Sequence, residues 1–203
     1  MKTQRTRSHK KNSSQTKKKY VYNKMDYKSN EGMLTSVWGP GLWHTLHTMS
    51  FNYPISPTLE DKTYYRNFIL NLQYVLPCGK CRKNLKMNFK KCPLKMSDMK
   101  SRETFSKYIY NLHEIINRML NKDSGLSYND VRERYEHFRS RCHLEPNPPL
   151  EKEKQSENTN KELGCTEPIY GQKSKCVLKI VPHTTKCETL QIDKKCIKYK
   201  LLK

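Results

Sequence analysis

Cys78 and Cys81 stand two residues apart in Leu76-Pro77-Cys78-Gly79-Lys80-Cys81-Arg82. Cysteines at this spacing can close on each other as a redox pair, supply half of a zinc site, or lie buried as two small apolar side chains. Pro77 precedes the first cysteine and is tolerated in the first turn of a helix, where its missing N–H would have been an orphan donor. A helix opening here puts the cysteines at the positive end of the dipole, among unpaired N–H groups. Both effects favour thiolate over thiol, and Lys80 and Arg82 act in the same direction.

The totals narrow the setting. The chain has 203 residues, with 40 Lys and Arg against 19 Asp and Glu, and a net charge of +21. Only 34% of the residues are hydrophobic, so a core spread over the whole length would be thin and part of the chain is expected to be tail. No apolar run approaches the roughly 20 residues of a membrane span, and no apolar segment follows the basic N-terminus as a secretory signal requires. The expectation is a cytosolic or nuclear protein. Eight cysteines are many for such a compartment, where disulfides are usually catalytic or redox-active. Redox chemistry or zinc would resolve that conflict.

Three regions are expected. Residues 1–30 carry ten Lys or Arg and one acid, Asp26, and read as a basic disordered arm. A solvated tail is the plain reading; a nuclear-localisation signal or a tether to nucleic acid or an anionic surface are the sharper ones. Residues 31–140 read as an all-α bundle of about five helices. The first opens at Trp38-Gly39-Pro40, with Trp43, Leu46 and His47 on one face, and ends at Tyr53-Pro54. Tyr64, Tyr65, Phe68, Ile69, Leu72, Val75 and Leu76 form the stripe of the second. The cysteine pair opens the third, closed by Cys92-Pro93. Ser101 and Thr104 begin the fourth, which ends in a turn at Lys122–Gly125, and the fifth runs from Ser127 to Phe138. Residues 141–203 read as a linker and a cysteine-containing extension. There Cys165, Cys176, Cys187 and Cys196 are spaced by 11, 11 and 9 residues, each of the last three beside a short apolar-containing stretch; the spacing reads either as a repeated hairpin-like unit or as coincidence.

A Trp/His helix lies about thirty residues before the cysteine pair, and a His/Asn helix about thirty after it. No GxGxxG loop offers a Rossmann site, so a flat cofactor would have to be gripped by aromatic and imidazole side chains on helix faces. The blocks Trp38-Gly39-Pro40-x-x-Trp43-x-x-Leu46-His47, Tyr53-Pro54, Pro77-Cys78-x-x-Cys81, His113-x-x-x-Asn117-x-x-Leu120-x-Lys122 and Val131-x-x-Arg134-Tyr135 occur in that order. In order and spacing they resemble the Erv/ALR family of FAD-dependent sulfhydryl oxidases, over about residues 31–138, and look most like members from large DNA viruses, which implies a cytoplasmic location, in the host cytoplasm or the virion if viral.

The resemblance implies a helical bundle holding FAD, usually as a homodimer. It implies that Gly39, Trp43, His47 and Tyr53 line the flavin side and that His113, Asn117, Lys122, Arg134 and Tyr135 embrace the adenosine and phosphates. Cys81 would be the proximal cysteine and Cys78 the outer one, meeting thiol-containing protein substrates or a thioredoxin-like relay. Electrons would pass from thiols through the pair to FAD and on to O2, with release of hydrogen peroxide. Three positions depart from the family pattern. Glu114 follows His113 in place of asparagine, and Tyr135 stands where a tryptophan is common. The corner near Tyr110 and Ser127-Tyr128 lacks the structural disulfide of many members, so packing must hold it. In the extension, the cysteines are expected to form a module held by disulfides or a metal, to shuttle electrons, or to be free thiols; Cys92 and Cys142 are spectators or a structural pair. The competing class, a basic nucleic-acid-binding zinc protein, has no spaced Cys/His fingers or RNA-binding strand to support it.

Overall fold

A computed structural model describes residues 23–141, 165–169, 172–187 and 191–196. The chain divides into two units, Met1–Glu31 and Gly32–Lys203. In the first, the described part is a single helical turn, α1 (Lys24–Tyr27), within the arm expected to be disordered. Asn23 explains it: its side chain accepts from the backbone N–H of Met25 and Asp26, and Asp26 reaches back to Asn23 N–H in a capping box. Residues 1–22 of the expected arm lie outside the described residues.

Among its described residues, the second unit is built on five α-helices: α2 (Thr35–Phe51), α3 (Leu59–Val75), α4 (Gly79–Lys91), α5 (Arg102–Met119) and α6 (Tyr128–Glu136). A 3-10 turn, Met96–Met99, links α4 to α5. Capping boxes start three of the five: Thr58 with Asp61, Ser101 with Thr104, and Ser127 with Asp130. The α2 helix begins at Thr35, three residues before the expected Trp38, and carries Pro40 within its first two turns. The left-handed residue after α5 is Asn121, at φ 53°, so the helix ends at Met119, ahead of the expected turn at Lys122–Gly125.

α2 packs on α5 and α6, α3 on α4, and α4 on α5. The main core gathers Leu46, Ile69, Leu72, Leu85, Phe89, Phe105, Ile109 and Leu112, with Leu94 and Met99 from the 3-10 region. The expected α3 stripe divides. Ile69, Leu72 and Leu76 are buried, whereas Tyr64, Phe68 and Val75 face outward. The all-α expectation holds for the bundle, and one small exception lies at its end. Ser140–Arg141 (β1) pairs antiparallel with Glu167–Pro168 (β2), and Ile169 N–H donates to the Arg139 carbonyl at 2.9 Å. Residues 172–187 contain no strand, and Val177, Leu178 and Ile180 are exposed, so this stretch has no hairpin-like form. The other stretches of the repeat fall largely outside the described residues. Among the described residues, no helix is long and apolar enough to cross a membrane.

Candidate active site

Cys78 and Cys81 form a disulfide at the start of α4. Cys78 is the N-cap itself, and its Sγ accepts from the Cys81 backbone N–H at 3.2 Å. Pro77 therefore stands one residue outside the helix instead of opening it. The Arg82 guanidinium folds back to the Leu76 carbonyl, fixing the approach to the cap. From the other side Met33 N–H donates to the Pro77 carbonyl at 2.8 Å. Gly32 makes that approach possible: a Cβ there would lie 2.9 Å from the Pro77 carbonyl oxygen and 3.1 Å from Cys78 Cα. Both cysteines are half-buried, and Cys81 packs against the core. Thr35 Oγ1, in the first turn of α2, lies 3.7 Å from Cys81 Sγ.

α2 also carries the second part of the site. Trp43 is eight residues beyond Thr35, about 12 Å along the helix axis. Its ring stacks on His113 of α5, centroids 3.9 Å apart and planes 7° from parallel. His47 Nε2 and His113 Nδ1 are 3.0 Å apart, so one donates to the other. Burial holds His47 far below the ordinary histidine range, to about 3, with His113 and His44 reinforcing the shift. Burial likewise lowers His113 to about 4, opposed by Glu114. Two neutral imidazoles thus face each other beside an indole. His47 Nδ1 is buried without a hydrogen-bond partner among the described residues.

Tyr135 joins the cluster from α6. Its ring lies 5.3 Å from His47 and 5.4 Å from Phe51, and its hydroxyl is 3.2 Å from His44 Nδ1. Burial raises its hydroxyl to about 12. Arg134, the preceding residue, is half-buried. Asn117 lies one turn beyond His113 on α5 and donates to Glu114 Oε1 at 3.1 Å. The exposed Lys122 returns its backbone N–H to the Asn117 carbonyl at 2.9 Å, bringing the two residues to one end of α5. Gly39 is buried on α2 between Thr35 and Trp43; a Cβ there would meet Thr35 Cγ2 at 3.5 Å, ordinary contact.

Tyr53 belongs to the main core, against which Trp43 packs. It is fully buried, packs edge-on against Tyr65 and donates its hydroxyl to the Met99 carbonyl at 3.0 Å. His44 and Phe51 were not singled out as site residues, although both share a helical face with His47; only α6 packing over that face reveals them. The corner that lacks a disulfide is held by aromatic side chains. Tyr110 donates to the Leu126 carbonyl at 2.7 Å and meets Tyr128 edge-on, whose hydroxyl is 2.8 Å from Ser106 Oγ. Of the remaining cysteines, Cys165 is disulfide-bonded, whereas Cys92, Cys176, Cys187 and Cys196 are free thiols. The structural pair considered for Cys92 and Cys142 is therefore not formed, and Cys142 lies outside the described residues. Among the described residues, no group of three or more His, Cys, Asp or Glu side chains is arranged to hold a metal ion.

Comparison with known proteins bears on this arrangement. The model of the Erv1/Alr family matches residues 40–136. A putative FAD-linked sulfhydryl oxidase of invertebrate iridescent virus 6 is 31% identical over 90 residues, which cover 42% of this chain and 81% of that protein. The chain belongs to the Erv1/Alr family. Two further relatives are also viral. A probable FAD-linked sulfhydryl oxidase of Acanthamoeba polyphaga mimivirus is 40% identical over 85 residues, covering 42% of this chain and 59% of that one. An FAD-linked sulfhydryl oxidase of African swine fever virus is 30% identical over 99 residues, covering 49% of this chain and 80% of that one. Among solved structures, the yeast Erv1 core aligns with a TM-score of 0.46 at 21% identity, over 60% of this chain and 96% of that one. The family match takes in α4 and its cysteine pair as well as the Trp43, His47, His113 and Tyr135 cluster.

Proposed function

We propose that this chain is an FAD-dependent sulfhydryl oxidase that introduces disulfides into protein thiols. The Cys78–Cys81 disulfide at the start of α4, in a member of the Erv1/Alr family, carries the reading. The residues fit FAD: a stacked indole and imidazole suit a flat ring system, and the buried, unpartnered His47 Nδ1 suits a hydrogen bond to it. Gly39 adds a buried helix surface on which no side chain of its own intrudes. Trp43, His47 and His113 would hold the ring systems, Asn117 and Tyr135 would flank them, and Lys122 and Arg134 would offer cations to the phosphates. Tyr53 would act through the core, from beneath α2.

In the chemistry this arrangement supports, a substrate thiolate attacks Cys78 Sγ. A mixed disulfide forms and Cys81 leaves as a thiolate, favoured by the N–H groups and dipole of the α4 N-terminus. A second substrate thiolate then attacks the substrate sulfur of that mixed disulfide, so Cys78 leaves reduced and the substrate departs oxidised. Thr35 Oγ1 lies within reach of Cys81 Sγ and can donate to its thiolate. FAD, when bound, supplies two-electron transfer from the reduced pair to O2, yielding hydrogen peroxide. The exposed α3 face of Tyr64, Phe68 and Val75 suits a second copy of the chain, as a homodimer.

The test is oxygen uptake and peroxide release with dithiothreitol by the purified chain, which should carry a flavin absorbance band near about 450 nm. Cys78→Ser and Cys81→Ser should each abolish uptake, whereas Cys176→Ser and Cys187→Ser should leave it largely intact. A colourless chain that takes up no added FAD and makes no peroxide would refute the reading.

A further inference from the structure

The α4 helix has an exposed face of unusual composition. Its exposed side chains are Lys80, Lys83, Lys86, Met87, Lys90 and Lys91, with no carboxylate among them. None of these lysines forms an ion pair among the described residues, where the ion pairs are Lys107–Glu103 and Arg139–Glu136. Other helices mix their charges. Glu103 faces Lys107 on α5, and α6 sets Asp130 and Glu133 among Arg132 and Arg134. At about 1.5 Å per residue, the 13-residue α4 carries its lysines from the disulfide to about 20 Å away. An extended peptide spans that length with about six residues. At the disulfide itself Met33 and Leu34 are exposed, beside the backbone bond that ties Met33 to Pro77.

We infer that the lysine face of α4 is a docking track for acidic polypeptides, which selects cysteine substrates flanked by Asp or Glu within about six residues. The inference rests on the oxidase reading and deepens it by naming a substrate class. An acidic flank laid along Lys83, Lys86 and Lys90 brings its cysteine to Cys78 at the N-terminal end of the same helix. Unpaired lysines along one exposed face also concentrate anionic partners and speed their encounter. A nucleic acid would satisfy the same charges but offers no thiol, and would cover the disulfide's surroundings. The position of the face beside a thiol-exchanging bond therefore favours a polypeptide.

The test compares oxidation of three synthetic cysteine peptides by the full-length, flavin-loaded protein, identical but for Asp, Asn or Lys flanks. At an ionic strength of about 0.01 M the screening length is about 30 Å, longer than the track, and at 1 M it is about 3 Å. In dilute buffer the Asp peptide should show a kcat/KM roughly tenfold or more above the Asn peptide, with the Lys peptide below both. At high salt the three should converge. The triple variant Lys83→Glu, Lys86→Glu, Lys90→Glu should keep its flavin absorbance and its dithiothreitol turnover and reverse the order of the peptides. Equal turnover of the three peptides in dilute buffer, or an unchanged preference in the triple variant, would overturn the inference. So would salt-sensitive binding of a DNA or RNA oligonucleotide that the triple variant loses, if the peptides show no preference. Failure of the wild-type protein to oxidise dithiothreitol would instead strike the oxidase reading, and this inference with it.

Discussion

The paired histidines predict a specific acid sensitivity. His47 is buried and held to about 3, while a histidine in the unfolded chain titrates near about 6.5. Below that value the unfolded chain takes up a proton that the folded chain refuses. Stability from this group is therefore whole above about pH 6.5 and falls steadily as the pH drops towards 3. Two pH units of such refusal, from 6.5 to 4.5, amount to about 2.7 kcal/mol, roughly a hundredfold in the ratio of folded to unfolded chain. His113, held to about 4, contributes with the same sign. Urea denaturation of the full-length protein at pH 6.5 and 4.5 measures the total loss. His47→Phe keeps a flat ring in the same space but removes the titrating group, so its loss over that interval should be smaller by about 2–3 kcal/mol. Histidine-selective NMR gives the direct check. A His47 midpoint near 6.5, or identical acid losses for both proteins, would refute the claim that burial keeps this imidazole neutral.

Three further outcomes follow from the packing. Gly32→Ala forces a Cβ against Pro77 and Cys78, displaces the backbone that carries the disulfide, and should lower stability by about 1–3 kcal/mol, read as a fall in thermal midpoint. Tyr110→Phe removes the bond to the Leu126 carbonyl and should lower stability by about 1 kcal/mol, with catalysis unchanged. Phe68→Lys puts a charge on the outward face of α3; sedimentation equilibrium should show a dimer for the wild type and a monomer for the variant, and a wild-type monomer would remove that face as a dimer surface.

Much of the bundle could be read from local chemistry. Ser101 with Thr104 and Ser127 with Asp130 mark their helix starts because a capping box needs only neighbours in sequence. The pairing of Trp43 and His47 with His113 was reachable only through resemblance, since no periodicity states which helix faces which. The start of α2 was concealed by Pro40, which looks like a first-turn proline but sits deeper in the helix. Tyr64, Phe68 and Val75 have helical spacing like their buried neighbours Ile69 and Leu72; hydrophobic pattern does not say whether a face meets its own chain or another. The motif groups Tyr53 with the ring-binding residues, but the bond from its hydroxyl to the Met99 carbonyl, 46 residues on, has no local signal. His44 carries no local signal, because its partner, Tyr135, lies 91 residues away in sequence.

The corner joining α5 to α6 has a consequence for what happens when the protein is reduced. Tyr110, Tyr128 and Ser106 clasp it without sulfur, and the bridge between Cys78 and Cys81 is the one that the proposed exchange would open. The helical scaffold between Gly32 and Arg139 thus carries no second crosslink among its described residues that must be oxidised before it can stand. Opening the Cys78–Cys81 bridge with dithiothreitol should therefore leave the bundle's helical circular dichroism unchanged.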